Sequence, residues 1–512
     1  MIDAAYPQTL VLLSAGLRTL GHGLDLEAVQ RWLGMTIPAV HVQCLPDDGR
    51  GKGELVQAVG ASGATRLVLG LCSEIYAVAE VQAQVRQARL DPLGIEVVNL
   101  GAAAALAHPQ PQATEKAKIL LAAAVARARA FAGSTPAQVK LCLTASVSRR
   151  SLLQLALPVY RAAPAIDASR CAAELGCQAC VQVCPQGALA RVDGRIYYDK
   201  EKCDPCGLCV TACPRTAIQN PAITPAQVEA EVSTLLDPAL GCIQPRGLVF
   251  RCQRSPLPQG PWHAGWMPVT LPCVGMAPPS WLLAPLLLGA SAVGVLPCRG
   301  GCATGQEQVI AGRVAYCQEF LQMLGAPAEM VSLAPALDQP PRGAGNRVAV
   351  EAPFDASATV LLQLAQQYDA PLDAVLDHPY TPLGVVTIQT DVCTGCGRCA
   401  LACPTGALGF AQREDGVALT FEAPLCTACG QCLPTCPEAE HAAISLARRT
   451  DLRCLEQGRT SLYRAELARC IACGAPIAPL AMLKRIEALL GKTYAATMPV
   501  LSRYCMDCRR GG

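Results

Sequence analysis

The sequence predicts a multidomain chain that mixes α/β and α+β units, and three observations carry that prediction. Short apolar segments alternate with amphipathic ones near the N-terminus and again from Leu248 to Leu333, the pattern of small parallel sheets. Four cysteine runs fall in two pairs, each pair compact enough for a small α+β module. Two further Cys-x2-Cys pairs flank a helical stretch in the last fifty residues.

At 512 residues the chain has room for roughly three or four domains, each able to bury its own core. Hydrophobic residues make up 52% and charged ones 16%, which describes a globular protein. The formal charge is +2 with acids and bases interspersed, so neither nucleic acid nor an anionic membrane is an expected partner. Most of the thirty cysteines lie at metal-ligand spacings that require thiolates, which fits a reducing cytoplasm better than a disulfide scaffold. The N-terminal apolar run lacks a basic flank and reads as a first strand, and Ser148 to Leu153 (SRRSLL) lies mid-chain, where it cannot serve as an export signal. Trp281 to Leu296 is the most apolar stretch, but its length and Pro285 predict a buried helix leading into a strand, and no membrane span is expected.

Residues 1–150 read as the first α/β domain. Its strands are Thr9 to Leu13, Val40 to Cys44, Arg66 to Leu71 and Ile95 to Leu100, separated by amphipathic stretches at Leu55 to Ala61 and Ile75 to Ala88. A long Ala-rich helix, Thr114 to Ala132, closes the unit. The segments LVLGLCSEIYAVAE, LDPLGIEVVNL and ATEKAKILLAAAVARARA, beginning at Leu67, Leu90 and Ala113, resemble the N-terminal domain of heterodisulfide reductase A. In that family a flavin-binding Rossmann unit follows. No G-x-G-x-x-G follows a predicted strand here, so no flavin or nicotinamide site is expected. Cys44 and Cys72 read as buried structural thiols.

Residues 165–222 form the first cysteine-rich module. Its second run, Cys203, Cys206, Cys209 and Cys213 followed by proline, has the C-x2-C-x2-C-x3-C-P spacing of bacterial ferredoxins. Its first run, Cys171, Cys177, Cys180 and Cys184, carries three extra residues after the first cysteine. In two-cluster ferredoxins the fourth cysteine of each run serves the other cluster. That crossing assigns Cys171, Cys177, Cys180 and Cys213 to one [4Fe-4S] cluster, and Cys203, Cys206, Cys209 and Cys184 to its neighbour.

Residues 240–340 return to strand and helix: GLVFRC, PVTLPC and AVGVLPC, then a helix from Val309 to Leu324. Three strands ending in cysteine bring Cys252, Cys273, Cys298 and Cys302 to one edge of a small parallel sheet. LPCRGGCATGQ, from Leu296 to Gln306, resembles the delta subunit of methyl-viologen-reducing hydrogenase, and the resemblance implies a [2Fe-2S] cluster and electron exchange with heterodisulfide reductase. The alternative is four thiols without a metal. Pro335 to Asn346 reads as a linker by composition.

The second ferredoxin-like module, residues 383–448, repeats the first. GVVTIQTD and GVALTFEA precede its two regular runs and read as paired strands. The same crossing gives Cys393, Cys396, Cys399 and Cys436 to one cluster, and Cys426, Cys429, Cys432 and Cys403 to the other. In the tail, residues 460–512, Cys470, Cys473, Cys505 and Cys508 around the helix Leu480 to Leu490 read as a zinc-ribbon-like site, with a further cluster as the rival.

The expected function is electron relay without bond chemistry, through four [4Fe-4S] clusters and one [2Fe-2S] cluster, with zinc in the tail. The resemblances imply partner subunits of a hydrogenase, formate dehydrogenase or heterodisulfide-reductase-like complex. Two other classes remain open: a self-contained reductase with an unrecognised flavin or substrate site, and an accessory or assembly factor for an oxidoreductase.

Overall fold

The computed structural model describes residues 6–45, 54–73, 78–135, 138–143, 158–221, 223–255, 257, 262–298, 301–302, 304–343, 345–350, 354–413, 416–495 and 497–510. The segment Ser148 to Leu153 and the start of the amphipathic stretch at Ile75 lie outside them. The chain forms two compact units, one of residues 1–169, 180–190 and 197–356, the other of residues 170–179, 191–196 and 357–512.

The first unit contains two four-stranded sheets, all parallel. In the first, Val40–Leu45, Thr9–Ser14, Arg66–Leu71 and Ile95–Asn99 lie side by side in that order. Thr9–Ser14 is buried along its whole length, which is why its sequence is a continuous apolar run and not an alternating one. The helix Gln112–Ala130 packs against Arg66–Leu71 and Ile95–Asn99 on one side and the helix Pro225–Leu235 on the other. Alanine along it permits that close double contact, and its interior positions from Ile119 to Val125 are buried.

Pro225–Leu235 begins at a capping box. The Thr224 hydroxyl accepts from the Gln227 amide N-H, the Gln227 side chain reaches back to Thr224, and Pro225 occupies the first turn, where its missing N-H costs nothing. At the other end, the fully buried Arg246 donates to the carbonyls of Leu235, Asp237, Leu240, Gly241 and Ile243. This guanidinium satisfies carbonyls that a helix terminus leaves without partners.

The second sheet runs Trp266–Leu271, Gly247–Cys252, Val293–Leu296, Val331–Leu333. Pro279–Leu287 is a wholly buried helix with Pro285 inside it, followed by the strand Val293–Leu296, as the apolar stretch predicted. Trp281, Phe250, Tyr316 and Phe320 fill the core. The Pro335 to Asn346 stretch, read as a linker, is irregular but packed on this sheet. His263 N-H donates to Leu337, Trp266 Nε1 donates to Gln339, and Pro335 covers Gly294. Its prolines and glycines serve close packing, which composition does not distinguish from a free connector.

In the second unit, Gly384–Ile388 pairs antiparallel with Ile444–Asp451, which also pairs with Val375–Asp377. Val417–Glu422 pairs with Leu408–Gln412 and with Arg459–Ala465. The strands of GVVTIQTD and GVALTFEA therefore do not pair with each other; each takes its partner from the chain that follows a cysteine run. The tail adds a two-stranded sheet, Leu467–Arg469 with Pro476–Pro479, and the helix Leu480–Leu490 at the expected bounds.

Candidate metal centres

In the second unit, one cavity is lined by Cys393, Cys396, Cys399 and Cys436 together with Ile388, Leu419 and Ile444. The first three cysteines come from one run and the fourth from the next, so the crossing inferred from spacing brings these four thiols to one cavity. Gly397, at φ 72°, opens the short helix Arg398–Leu401, and a Cβ there would strike the Phe410 ring at 2.8 Å. Glycine is thus required for the run to turn. Tyr463 donates to the Cys393 carbonyl at 2.8 Å and pins the start of the run.

The companion set behaves alike. Cys432 lies within electrostatic reach of Cys426, Cys429 and Cys403, and burial first, then those neighbours, push its thiol up to about 12. Burial likewise raises Cys399 and Cys426 to about 11. Thiols crowded into an apolar cavity resist ionising alone, and a bound cation is what makes four thiolates affordable there.

In the first unit a cavity is lined by Cys184, Cys203, Cys206 and Cys209, again three from one run and one from the other. Tyr198, Leu189 and Leu208 complete its wall. The fourth cysteines accept from backbone amides just beyond them: Ala188 N-H to Cys184 at 3.3 Å, Ala217 N-H to Cys213 at 3.2 Å, and Leu408 N-H to Cys403 at 3.4 Å. Such N-H···S bonds stabilise negative charge on sulfur and tune a cluster's potential. Of the remaining predicted set, Cys180 and Cys213 belong to the first unit, Cys171 and Cys177 to the second.

The four cysteines at the edge of the second parallel sheet also converge. Cys252 lies within electrostatic reach of Cys273 and Cys298, and Cys298 of Cys302. The Thr304 hydroxyl lies 3.4 Å from Cys273 Sγ and 3.2 Å from Cys302 Sγ, and Gln306 N-H donates to Cys302 at 3.4 Å. The neighbouring Cys273 is the largest influence holding the Cys252 thiol below its usual range, whereas burial pushes Cys298 up. Four thiols gathered this way fit the ligand demand of a binuclear cluster.

In the tail, Cys470, Cys473, Cys505 and Cys508 place their sulfurs within 4.8 Å of one another, with Cys473 and Cys505 at 3.6 Å. Four Zn-S bonds of about 2.3 Å in a tetrahedron put sulfurs about 3.8 Å apart. A cubane, with a separate iron under each thiolate, holds its ligands further apart. The set fits a single tetrahedral ion. The backbone N-H groups of Cys505, Cys473 and Ala472 favour the Cys470 thiolate, that of Cys505 most, and hold this thiol below its usual range.

Several neighbours of these sites carry no sequence signal. Asp204 forms an ion pair with Arg254, and Glu438, which lines the Cys393 cavity, pairs with Arg485. Each pair joins residues some fifty positions apart, beyond the reach of local spacing. Among the described residues no helix is long and apolar enough to cross a membrane.

Two 4Fe-4S dicluster domain models match the chain, one at residues 163–214 and the other at residues 392–440. Each of these stretches holds crossed thiols that line one cavity, and the class they define is that of iron-sulfur electron-transfer proteins. Similar proteins include the formate dehydrogenase iron-sulfur subunit of Wolinella succinogenes, 51% identical over 43 residues, which are 8% of this chain and 22% of that protein. Formate hydrogenlyase subunit 2 of Escherichia coli is 38% identical over 55 residues, 11% of this chain and 27% of that protein. An ion-translocating oxidoreductase complex protein from Methanosarcina acetivorans is 42% identical over 45 residues, 9% and 17% respectively. The chain thus spans roughly a sixth to a quarter of the length of these relatives.

Proposed function

We propose that the chain is the electron-relay subunit of a multi-subunit oxidoreductase in the cytoplasm, carrying four [4Fe-4S] clusters, one [2Fe-2S] cluster and one zinc ion. The observation that carries this reading is the crossed convergence of thiols: Cys393, Cys396 and Cys399 with Cys436, and Cys203, Cys206 and Cys209 with Cys184. By the same crossing, Cys426, Cys429, Cys432 and Cys403 hold a third cubane, and Cys171, Cys177, Cys180 and Cys213 a fourth. Cys252, Cys273, Cys298 and Cys302 hold the binuclear cluster, and the Cys470, Cys473, Cys505 and Cys508 set holds zinc.

The bound clusters would supply one-electron chemistry. The protein's part is to bury them, direct N-H groups at their sulfurs and set the charge around them. In this reading residues 1–150 form a domain like that of heterodisulfide reductase A without its flavin unit, and residues 240–340 a domain like the hydrogenase delta subunit. Partners at the two ends are subunits of a hydrogenase, formate dehydrogenase or heterodisulfide-reductase-like enzyme, in keeping with the formate dehydrogenase and formate hydrogenlyase subunits that the chain resembles.

Anaerobic iron, sulfide and zinc analysis of the purified chain, with EPR on stepwise reduction, tests the proposal. About eighteen iron atoms, cubane and binuclear signals, and one zinc are expected from this cofactor set. A chain with far less iron after reconstitution, or with clusters that do not reduce and reoxidise, would overturn it.

A further inference from the structure

Two of the thiol sets in the first unit adjoin. Gly207, directly after Cys206, lies against Met276, three residues after Cys273; a Cβ on Gly207 would come within 2.7 Å of Met276 Sδ. The positive φ of 81° at Gly207 also demands glycine. The short helix Leu208–Ala212 continues that contact with the turn Val274–Met276. Backbone therefore passes from one set of thiols to the other without an intervening layer.

Across the same junction lies one pair of opposite charges. Asp204, directly after Cys203, is ion-paired with Arg254, two residues after Cys252. The Asp204 carboxylate acts on Cys206, and the Arg254 guanidinium on Cys252 and Cys273. The negative end thus faces the cubane ligands and the positive end the binuclear ligands. A negative charge disfavours adding an electron to a nearby centre, and a positive charge favours it.

We propose that the Asp204–Arg254 pair is an electrical bias built into the junction, which draws electrons from the centre held by Cys184, Cys203, Cys206 and Cys209 toward the one held by Cys252, Cys273, Cys298 and Cys302. The step moves one electron: the first centre is oxidised by one, the second reduced by one, and no bond or proton moves. A low-potential one-electron donor loads the first centre. The inference rests on the cofactor reading proposed above and adds a direction and the residues that set it.

The test is a mediated redox titration of the full chain followed by EPR, comparing the parent with Arg254→Gln, Arg254→Lys and Asp204→Asn at matched iron content. The Arg254 side chain is 41% exposed, so its replacement leaves the core intact. At a fixed potential, Arg254→Gln should lower the reduced-to-oxidised ratio of the binuclear centre about tenfold, or 59 mV for one electron. Arg254→Lys should keep that ratio within about twofold, and Asp204→Asn should raise the ratio of a cubane centre instead. A binuclear midpoint unmoved in Arg254→Gln overturns the bias alone. Absence of any binuclear signal in the iron-loaded parent overturns the underlying cofactor reading, and the bias with it.

Discussion

Arg485 Nε donates to Glu438 Oε1 at 2.9 Å, joining the helix Leu480–Leu490 of the tail to the wall of the Cys393 cavity. Glu438 follows Cys436 by two residues and is only 8% exposed, so its charge is felt by whatever those thiols hold.

Removing that neutralising partner should make the centre harder to reduce. Arg485→Gln is expected to shift the midpoint of one cubane negative by on the order of 30–60 mV, a three- to tenfold change for one electron. A redox titration at matched iron content measures it, and an unchanged midpoint would show that solvent screens the pair.

Arg127 sits between two largely buried carboxylates, 3.2 Å from Glu96 and 2.7 Å from Glu231. Burial raises both acids, Glu96 to about 7, while the two acids together hold Arg127 firmly charged. One cation cannot neutralise two anions, so one carboxyl tends to keep its proton. A folded-state pKa raised above 4.5 contributes stability that is fully present below pH 4.5 and is lost as pH rises through 7. Glu96→Gln should therefore match the parent near pH 4 and exceed it by on the order of 2–3 kcal/mol at pH 8. Denaturant unfolding at the two pH values checks the sign. Arg127→Met, which leaves buried acids without a cation, should cost about 3–5 kcal/mol.

Arg246 gathers five carbonyls, of which that of Asp237 also accepts from Leu240 N-H. Arg246→Met fills similar volume but donates nothing, and is expected to destabilise the first unit by about 3 kcal/mol or more. Thermal unfolding followed by circular dichroism would register this as a lowered first transition.

Chelation should separate the tail from the clusters. Treatment with a zinc-selective chelator is expected to release one zinc per chain, leave the iron content intact and open residues 466–510 to proteolysis. Cys473→Ser should weaken zinc retention by tenfold or more without changing the iron. Iron lost together with the zinc would point to a cluster in the tail.

Much of this architecture was legible from local pattern. Thr9–Ser14, Arg66–Leu71 and Gly247–Cys252 are continuous apolar runs because both faces of a central parallel strand are covered. The helix Leu480–Leu490 was legible from its period alone. Strand partnership in the second ferredoxin-like module was not: Val417–Glu422 takes Arg459–Ala465 as a neighbour, and nothing in either segment names the other. The packed course of Pro335 to Asn346 was equally hidden, because proline and glycine suit both a free connector and a tight one.

What the sequence by itself determined is the grouping of Cys393, Cys396 and Cys399 with Cys436, and of Cys203, Cys206 and Cys209 with Cys184, since a spacing of two or three residues fixes where successive sulfurs point and each group lines one cavity. Only the tertiary structure decided the company those thiols keep. Arg254 reaches Asp204 and Arg485 reaches Glu438 because separate segments pack side by side, and a long side chain finds its partner through space. Sulfur positions are set by local backbone geometry, whereas the charges that would tune them are set by packing.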